Sequence, residues 1–217
     1  VIIGVNPSKI VAHLQATGAL CISVLNSING VKKFRIVPGD HHFYLGYDCF
    51  DYFIEFRPFG WSTAIYERNI PAEKIYNLSY YPLAEEFVSY CGLPEATNGK
   101  IVLAAGGATY KFQGSNVFYE ALETILLQNE NAVFVFIGHP SPELKKLSRK
   151  KSISGKIFFL GYRKDFVSVM QHIDILINSM PFSGGLFCQT AAYYSKPILA
   201  YTENDDKEDN SVDDILG

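Results

Sequence analysis

Short runs of consecutive apolar residues, such as Ile101-Val102-Leu103-Ala104 and Val133-Phe134-Val135-Phe136-Ile137, alternate along this chain with helical patterns. A strand that is apolar at every position is buried on both faces. That requires a parallel sheet with helices packed above and below it. Candidate strands cover residues 20–25, 52–56, 74–78, 101–104, 133–137, 156–160, 173–177 and 197–201. Candidate helices cover 8–15, 62–68, 84–90, 115–127, 143–149, 164–171 and 185–194. In the helix after Ser115, the residues Val117, Ala121, Leu122, Ile125 and Leu126 fall on one stripe, as one core-facing side requires. Strand–helix alternation with short loops predicts an α/β fold: a Rossmann-like parallel sheet with helices on both faces.

The stretch Cys91-Gly-Leu-Pro-Glu-Ala-Thr-Asn-Gly-Lys100 is rich in turn residues and predicts a boundary between Pro82 and Lys100. Residues 1–85 read as the tail of one Rossmann-like domain, and 86–217 as a second, nearly whole one truncated at its C-terminus. The chain opens on Val1-Ile2-Ile3 and stops at Gly217 within a helical pattern, so it reads as a segment of a longer protein. Apolar residues make up 48% and charged residues 19%, enough for two cores and too little charge for disorder. A net charge of −3, with basic residues clustered only at Lys145-Lys146 and Arg149-Lys150-Lys151, argues against nucleic acid as a partner. No apolar run reaches the roughly 18 residues of a membrane span. Cys21, Cys49, Cys91 and Cys188 form no CxxC pair, so neither a zinc site nor a disulfide framework is expected. A reduced, cytoplasmic setting fits them.

Four strand ends carry the chemistry. The strand at 101–104 runs into Gly106-Gly107 and then Thr109-Tyr110-Lys111. Glycines there let the backbone approach a ligand, and the lysine supplies a point charge for a diphosphate. This spacing is neither GxGxxG nor the GxxxxGK of a P-loop. The next two strands end in Gly138-His139-Pro140 and Gly161-Tyr162-Arg163. The fourth runs into Asn178-Ser179-Met180-Pro181-Phe182-Ser183-Gly184-Gly185-Leu186, where a turn of small residues opens a helix. The free amides and dipole of such a helix start suit a phosphate. Taken singly, each of these elements is equally well a plain strand–loop junction.

Their order is what resembles a known family. Strand–GGATYK–helix, strand–GHP, strand–LGYRKDF–helix and then ILINSMPFSGGLFCQTAAYYSKPILAY resembles, from about Lys100 to Tyr201, the C-terminal donor-binding domain of glycosyltransferases with two Rossmann-like domains (the GT-B fold). The O-GlcNAc transferases and related capsule and lipopolysaccharide enzymes are the nearest in pattern. The resemblance implies that Lys111 binds the donor diphosphate, with Gly106, Gly107 and Gly138 lining the same crevice. It implies that Gly161, Tyr162 and Arg163 hold the base, largely through backbone groups. Ser183, Gly184, Gly185 and Leu186 would hold the β-phosphate. Gln189 or Thr190 would stand near the ribose. Many retaining relatives carry two glutamates with seven residues between them in this segment. Phe182 and Thr190 stand there instead, which leaves the stereochemistry open.

In the first part, "IPAEKIYNLSYYP" resembles the end of the acceptor-side domain of the same enzymes. Upstream, Asp40, His41 and His42 form the one dense acid/base cluster and are the catalytic candidates, since a carboxylate beside imidazoles can take the proton of an acceptor hydroxyl. Asp40 as a helix cap and Glu55–Arg57 as a simple pair are the plain alternatives. The function expected is transfer of a sugar from a nucleotide-sugar, a UDP-sugar by preference, to a glycan, lipid-linked or protein acceptor in bacterial surface polysaccharide or glycan synthesis. The enzyme would be of the hexosyl- or N-acetylhexosaminyl-transferase type. No cofactor and no metal are expected, because no DxD-like motif is present. Peripheral membrane association of the full-length protein is compatible with such acceptors. An epimerase-type sugar-nucleotide enzyme, or a non-catalytic binding domain on the same scaffold, would carry the same fold.

Overall fold

The computed structural model describes residues 6–14, 18–40, 42–79, 89–201 and 215. They form two compact units, within residues 1–80 and 81–216, and each is built around its own parallel sheet.

In the first unit the strands are β1 (Lys9–His13), β2 (Lys32–Ile36), β3 (Tyr52–Glu55) and β4 (Ile75–Asn77). They lie in the order β1-β2-β3-β4, every pair parallel. Helix α1 (Ala19–Asn26) connects β1 to β2, and α2 (Pro58–Tyr66) connects β3 to β4. Phe53, Tyr44, Phe50, Ala64, Ile70 and Ile75 are among the residues of its core.

Two expectations are corrected here, and one strand is added. Residues 8–15 were expected as helix, yet Lys9–His13 is a strand, its β-branched pair Ile10-Val11 in register with Lys33 and Phe34. Residues 20–25 were expected as strand, yet Ala19–Asn26 is a helix. A short apolar run does not distinguish the two by periodicity. Strand β2 was not foreseen, because Lys32, Lys33 and Arg35 interrupt its apolar pattern. Of the helix expected over 84–90, residues 84–88 lie outside the described residues, and Ser89-Tyr90 is not helical.

The second unit holds β5 (Ile101–Gly107), β6 (Ala132–Gly138), β7 (Ile157–Gly161), β8 (Ile175–Ile177) and β9 (Ile198–Leu199), in the order β7-β6-β5-β8-β9. All pairs are parallel. Its helices are α3 (Val117–Gln128), α4 (Pro142–Leu147), α5 (Phe166–Gln171) and α6 (Gly185–Tyr193). Two apolar clusters pack against the sheet. One joins Leu103, Ala105, Phe134 and Phe136 to Phe118, Leu122 and Leu126 of α3. The other joins Val102, Ala104, Val133 and Val135 to Val169 and Met170 of α5 and to Cys188 and Ala191 of α6. The alternation of buried residues between these clusters is the two-faced burial expected of its continuous apolar strands. The chain order reverses between β5 and β8. In a doubly wound sheet, the crevice beyond the carboxyl ends of such a pair is where ligands bind.

Candidate functional site

The four strand ends lie on one edge of the parallel sheet, as the sequence predicts. Gly107 faces Gly138 in the register of β5 and β6, and Gly138 faces Gly161 across β6 and β7. Gly107 and Gly138 have φ of +123° and +116°, which side-chain-bearing residues rarely adopt. A Cβ on Gly138 would also stand 2.9 Å from the Gly107 carbonyl oxygen. Gly106 is closed from two sides: a Cβ there would meet the Ile137 carbonyl oxygen and the Phe187 ring of α6 at 2.5 Å. The glycine pair therefore serves strand-to-strand and strand-to-helix packing and leaves backbone at the crevice.

Beyond Gly107 a 3₁₀ turn, Thr109–Phe112, is anchored by the buried ring of Phe112 and by Thr109, whose hydroxyl donates to the His139 carbonyl at 3.1 Å. This aims Lys111 across the β5–β8 crevice, where its Nζ donates to the Ser183 carbonyl at 2.8 Å. Asn178 organises the opposite turn. Its Nδ2 donates to Ser183 Oγ at 2.7 Å, and its Oδ1 accepts from the Gly184 amide at 2.9 Å and from Cys188 Sγ at 3.2 Å. Ser179 Oγ closes the turn on the Phe182 carbonyl at 2.7 Å. Two residues past Ser183, α6 begins at Gly185 with no acidic residue in its first turn. Lys111 and the start of α6 thus address one spot. Tyr110 and Phe182, both partly exposed, stand 6.1 Å apart beside it. Burial raises the Cys188 thiol to about 11, so it remains a neutral packing group.

Other positions behave differently from their sequence reading. Thr190 is buried, and its hydroxyl donates to the Leu186 carbonyl one turn back at 2.7 Å. That hydroxyl serves the helix, and Gln189, partly buried, precedes Thr190 in the chain. The Arg163 side chain grips Asp165 through two N–H groups at 2.6 and 2.5 Å and donates to the Gly92 carbonyl at 3.0 Å. Asp165 also accepts the Cys91 amide at 2.8 Å. The Arg163 guanidinium holds the Asp165 carboxyl well below the usual carboxylate range. Arg163 therefore pins the segment at 91–92, while Tyr162, 78% exposed, offers an open aromatic face.

In the first unit, Asp40 lies in the turn after β2 and its carboxylate is held by Arg57 through two hydrogen bonds, at 2.5 and 2.8 Å. His42 is exposed, its amide bonded to the Gly39 carbonyl at 3.0 Å, and its ring occupies the space a Cβ on Gly39 would need. His41 lies outside the described residues. Behind this turn is a buried ionic group of Arg35 of β2, Glu55 at the end of β3, and Arg68 after α2; the sequence reading singled out Glu55 alone, as a partner for Arg57, and missed Arg35 and Arg68. Glu55 is fully buried and Arg35 is 1% exposed. The Arg35 guanidinium lies 4.0 Å from the Tyr44 ring centroid and 5.3 Å from that of Phe50, and Arg68 lies 4.7 Å from Tyr44. Burial is the chief cause that lifts the Glu55 carboxyl to about 8, against the opposing pull of Arg68. A sequence signal existed: a charged residue closing the apolar run Tyr52-Phe53-Ile54. Among the described residues, no group of three or more His, Cys, Asp or Glu could hold a metal ion, and no helix is long and apolar enough to cross a membrane.

Comparison with known proteins gives this geometry its context. The sequence profile of the family described as Glycosyl transferases group 1 matches residues 99–213, more than half of the chain. No curated protein matches it in sequence. Among solved structures, a glycosyltransferase from Rickettsia africae superposes with a TM-score of 0.70 at 12% identity, covering 99% of this chain and 66% of that one. HepE from Anabaena in complex with UDP gives 0.66 at 13%, covering 94% and 67%. TarM from S. aureus, in complex with fondaparinux, α-GlcNAc-glycerol and UDP, gives 0.62 at 13%, covering 95% and 47%. The chain spans about half the length of that TarM chain. At these identities the structural matches establish the fold: two parallel sheets with helices around them, Rossmann-like, as in GT-B proteins.

Proposed function

We propose that this chain, which belongs to the Glycosyl transferases group 1 family, forms the donor site and part of the acceptor side of an enzyme that transfers a sugar from a UDP-sugar to an acceptor hydroxyl. The observation that carries the donor site is the meeting of Lys111 with the turn that opens α6, at the β5–β8 switch point. In the transfer, the bond between the anomeric carbon and the β-phosphate oxygen breaks while the acceptor oxygen bonds to that carbon. Negative charge builds on the departing diphosphate. The Lys111 ammonium and the amides at the start of α6 are donors fixed where that charge appears. Gly106, Gly107 and Gly138 let the donor lie against backbone. Tyr162 stacks on the base, with the backbone at Gly161 reading its edge. The Arg163 side chain is committed to Asp165, so its share in holding the base is through the backbone, as the resemblance implies.

The candidates for taking the proton of the acceptor hydroxyl are Asp40, in the turn after β2, and the His41 and His42 that follow it in sequence. With the Asp40 carboxylate committed to Arg57, an imidazole of that turn is the better proton acceptor, and His42 is exposed. UDP as the nucleotude class is supported by neighbours of this fold solved with UDP or UDP-glucose. A bacterial glycan acceptor, a hexosyl or N-acetylhexosaminyl donor and metal independence belong to the same proposal. The absence of a DxD-like motif supports the last of these.

An epimerase-type reading has support of its own, since a protein described as a putative UDP-N-acetylglucosamine 2-epimerase from Listeria monocytogenes shares the fold, with a TM-score of 0.65 at 10% identity. One experiment decides between them. The full-length protein is incubated with UDP-glucose and UDP-N-acetylglucosamine, with and without a glycan acceptor, and the products are followed by mass spectrometry and NMR. Acceptor-dependent release of UDP is expected. Conversion of the donor to its C2 epimer without acceptor would sink the transferase proposal.

A further inference from the structure

The 39–42 turn is held from behind by a buried ionic group that the donor chemistry does not use. Arg68 Nη2 donates to the backbone carbonyls of both Asp40 and His42, the latter at 3.0 Å. Its other terminal nitrogen, Nη1, lies 4.0 Å from Glu55 Oε1. Neither that nitrogen nor either Glu55 oxygen has a hydrogen-bond partner, although all are buried. Burying a carboxylate and a guanidinium at this separation without closing the contact is costly if both are charged. We propose that Arg68 is the positioning residue of the 39–42 turn, set between two of its carbonyls and the Glu55 side chain.

The groups facing Glu55 come from every element around it. They are Arg35 of β2, Asp40 of the turn, Tyr44 beyond it, Arg57 before α2, Arg68 after it, and the α2 backbone at Gly60, where a Cβ would stand 2.6 Å from Glu55 Oε2. The missing side chain at Gly60 leaves the room that Glu55 Oε2 takes, and Oε1 faces Arg68 Nη1 at 4.0 Å. With the carboxyl neutral, its pull on Nη1 is weak and Arg68 stays on the two carbonyls. Once Glu55 ionises, above about 8, the attraction draws Nη1 the remaining distance to hydrogen-bond contact. That motion competes with the bonds to Asp40 and His42. The turn is then firm below this pH and loosened above it. Any effect on transfer rests on the acceptor-side reading of the turn; the positioning itself does not.

Hydrogen exchange of peptides spanning residues 39–42 in the full-length protein, corrected for intrinsic rates, tests this. In Arg68→Lys, one compact ammonium cannot reproduce the planar fork that reaches both carbonyls. Exchange at the His42 amide should rise about tenfold or more, as expected when a bond network costing roughly 1.4 kcal/mol per tenfold is lost. The melting temperature and the donor KM should hold while kcat falls. Unchanged exchange in a folded Arg68→Lys variant overturns the inference. Faster exchange with an unchanged transfer rate supports the positioning and removes the turn from the reaction. If the lysine variant does not fold, Glu55→Gln, of the same shape, carries the test. Protection at His42 should fall above about pH 8 in the parent and stay flat in Glu55→Gln. A parent without that fall, or a glutamine variant that keeps it, overturns the inference.

Discussion

In the proposed donor site, Lys111 is the side chain set to meet the diphosphate. Its Nζ rests on the Ser183 carbonyl at 2.8 Å, an uncharged acceptor that a diphosphate oxygen would outcompete through the added attraction between opposite full charges. Lys111→Ala should lower kcat by something like 10²- to 10³-fold, the scale for removing one preorganised donor. Affinity for uridine without phosphate should hardly change, and calorimetry against uridine and UDP separates the two effects. An unchanged kcat would take Lys111 out of the site. Glu55 gives a second residue-scale prediction. Its folded pKa of about 8 exceeds the ordinary 4.5, so the folded state holds the proton more tightly than the unfolded chain. The stability this provides is complete below pH 4.5 and is lost as pH rises through 8. Asp165 has the opposite sign, because its folded pKa is lowered; its contribution is present at neutral pH and lost only in strong acid. Glu55→Gln should therefore flatten the pH dependence of urea unfolding between pH 5 and 8, where the parent loses up to about 1.4 kcal/mol per pH unit. Parallel curves for parent and variant would refute it.

At the scale of elements, what was legible in the sequence depended on whether burial left a pattern. β5 and β6 are buried on both faces, and their unbroken apolar runs leave only a strand between helices as the reading. The amphipathic stripe of α3 was equally plain, and Leu122 and Leu126 from it are fully buried. β2 was not legible, because its inward residue is Arg35. A charged residue in a core position makes sense only once Glu55 and the Tyr44 ring stand beside it, and those are separated from it in sequence. β1 and α1 exchanged types because each is short and mostly exposed, so neighbouring structure decides what propensity leaves open. In the site, the glycines and Lys111 were readable from order along the chain. The role of Asn178 was not, since it depends on three partners at Ser183, Gly184 and Cys188 that meet only in the folded turn. The packing of β5 on α6 gives an element-scale prediction. Gly106→Ala places a Cβ against a backbone carbonyl and the Phe187 ring, and overpacking of this kind costs about 1–3 kcal/mol. Chemical denaturation should show that loss together with weakened UDP binding, since the strand end and α6 shift together. A variant as stable as the parent would mean that the sheet yields easily there.

For the molecule as a whole, two parallel sheets with separate cores imply that a ligand at the β5–β8 crevice stabilises its own unit first. The Lys111–Ser183 contact, the Asn178 turn and the start of α6 all lie in the second unit. Binding only to the folded state adds RT ln(1 + [L]/Kd), about 2.7 kcal/mol at a ligand concentration of 100 Kd. For a unit of this size that is a rise of several degrees in its melting temperature. Hydrogen exchange with and without saturating UDP should then slow at residues 105–111 and 178–188, and at the carboxyl ends of β6 and β7. The cores of β2 and β3 should exchange as before, because the residues assigned to the proposed donor site all belong to the second unit. The shared spot of Lys111 and α6 makes the pattern sharper: both segments must respond to UDP, and neither to uridine, because what joins them is charge on the diphosphate. Slowing at only one of the two segments would break the single-site assignment. Slowing at β2 and β3 of the same size would show that the nucleotide couples both units, and the donor site could no longer be assigned to the second alone.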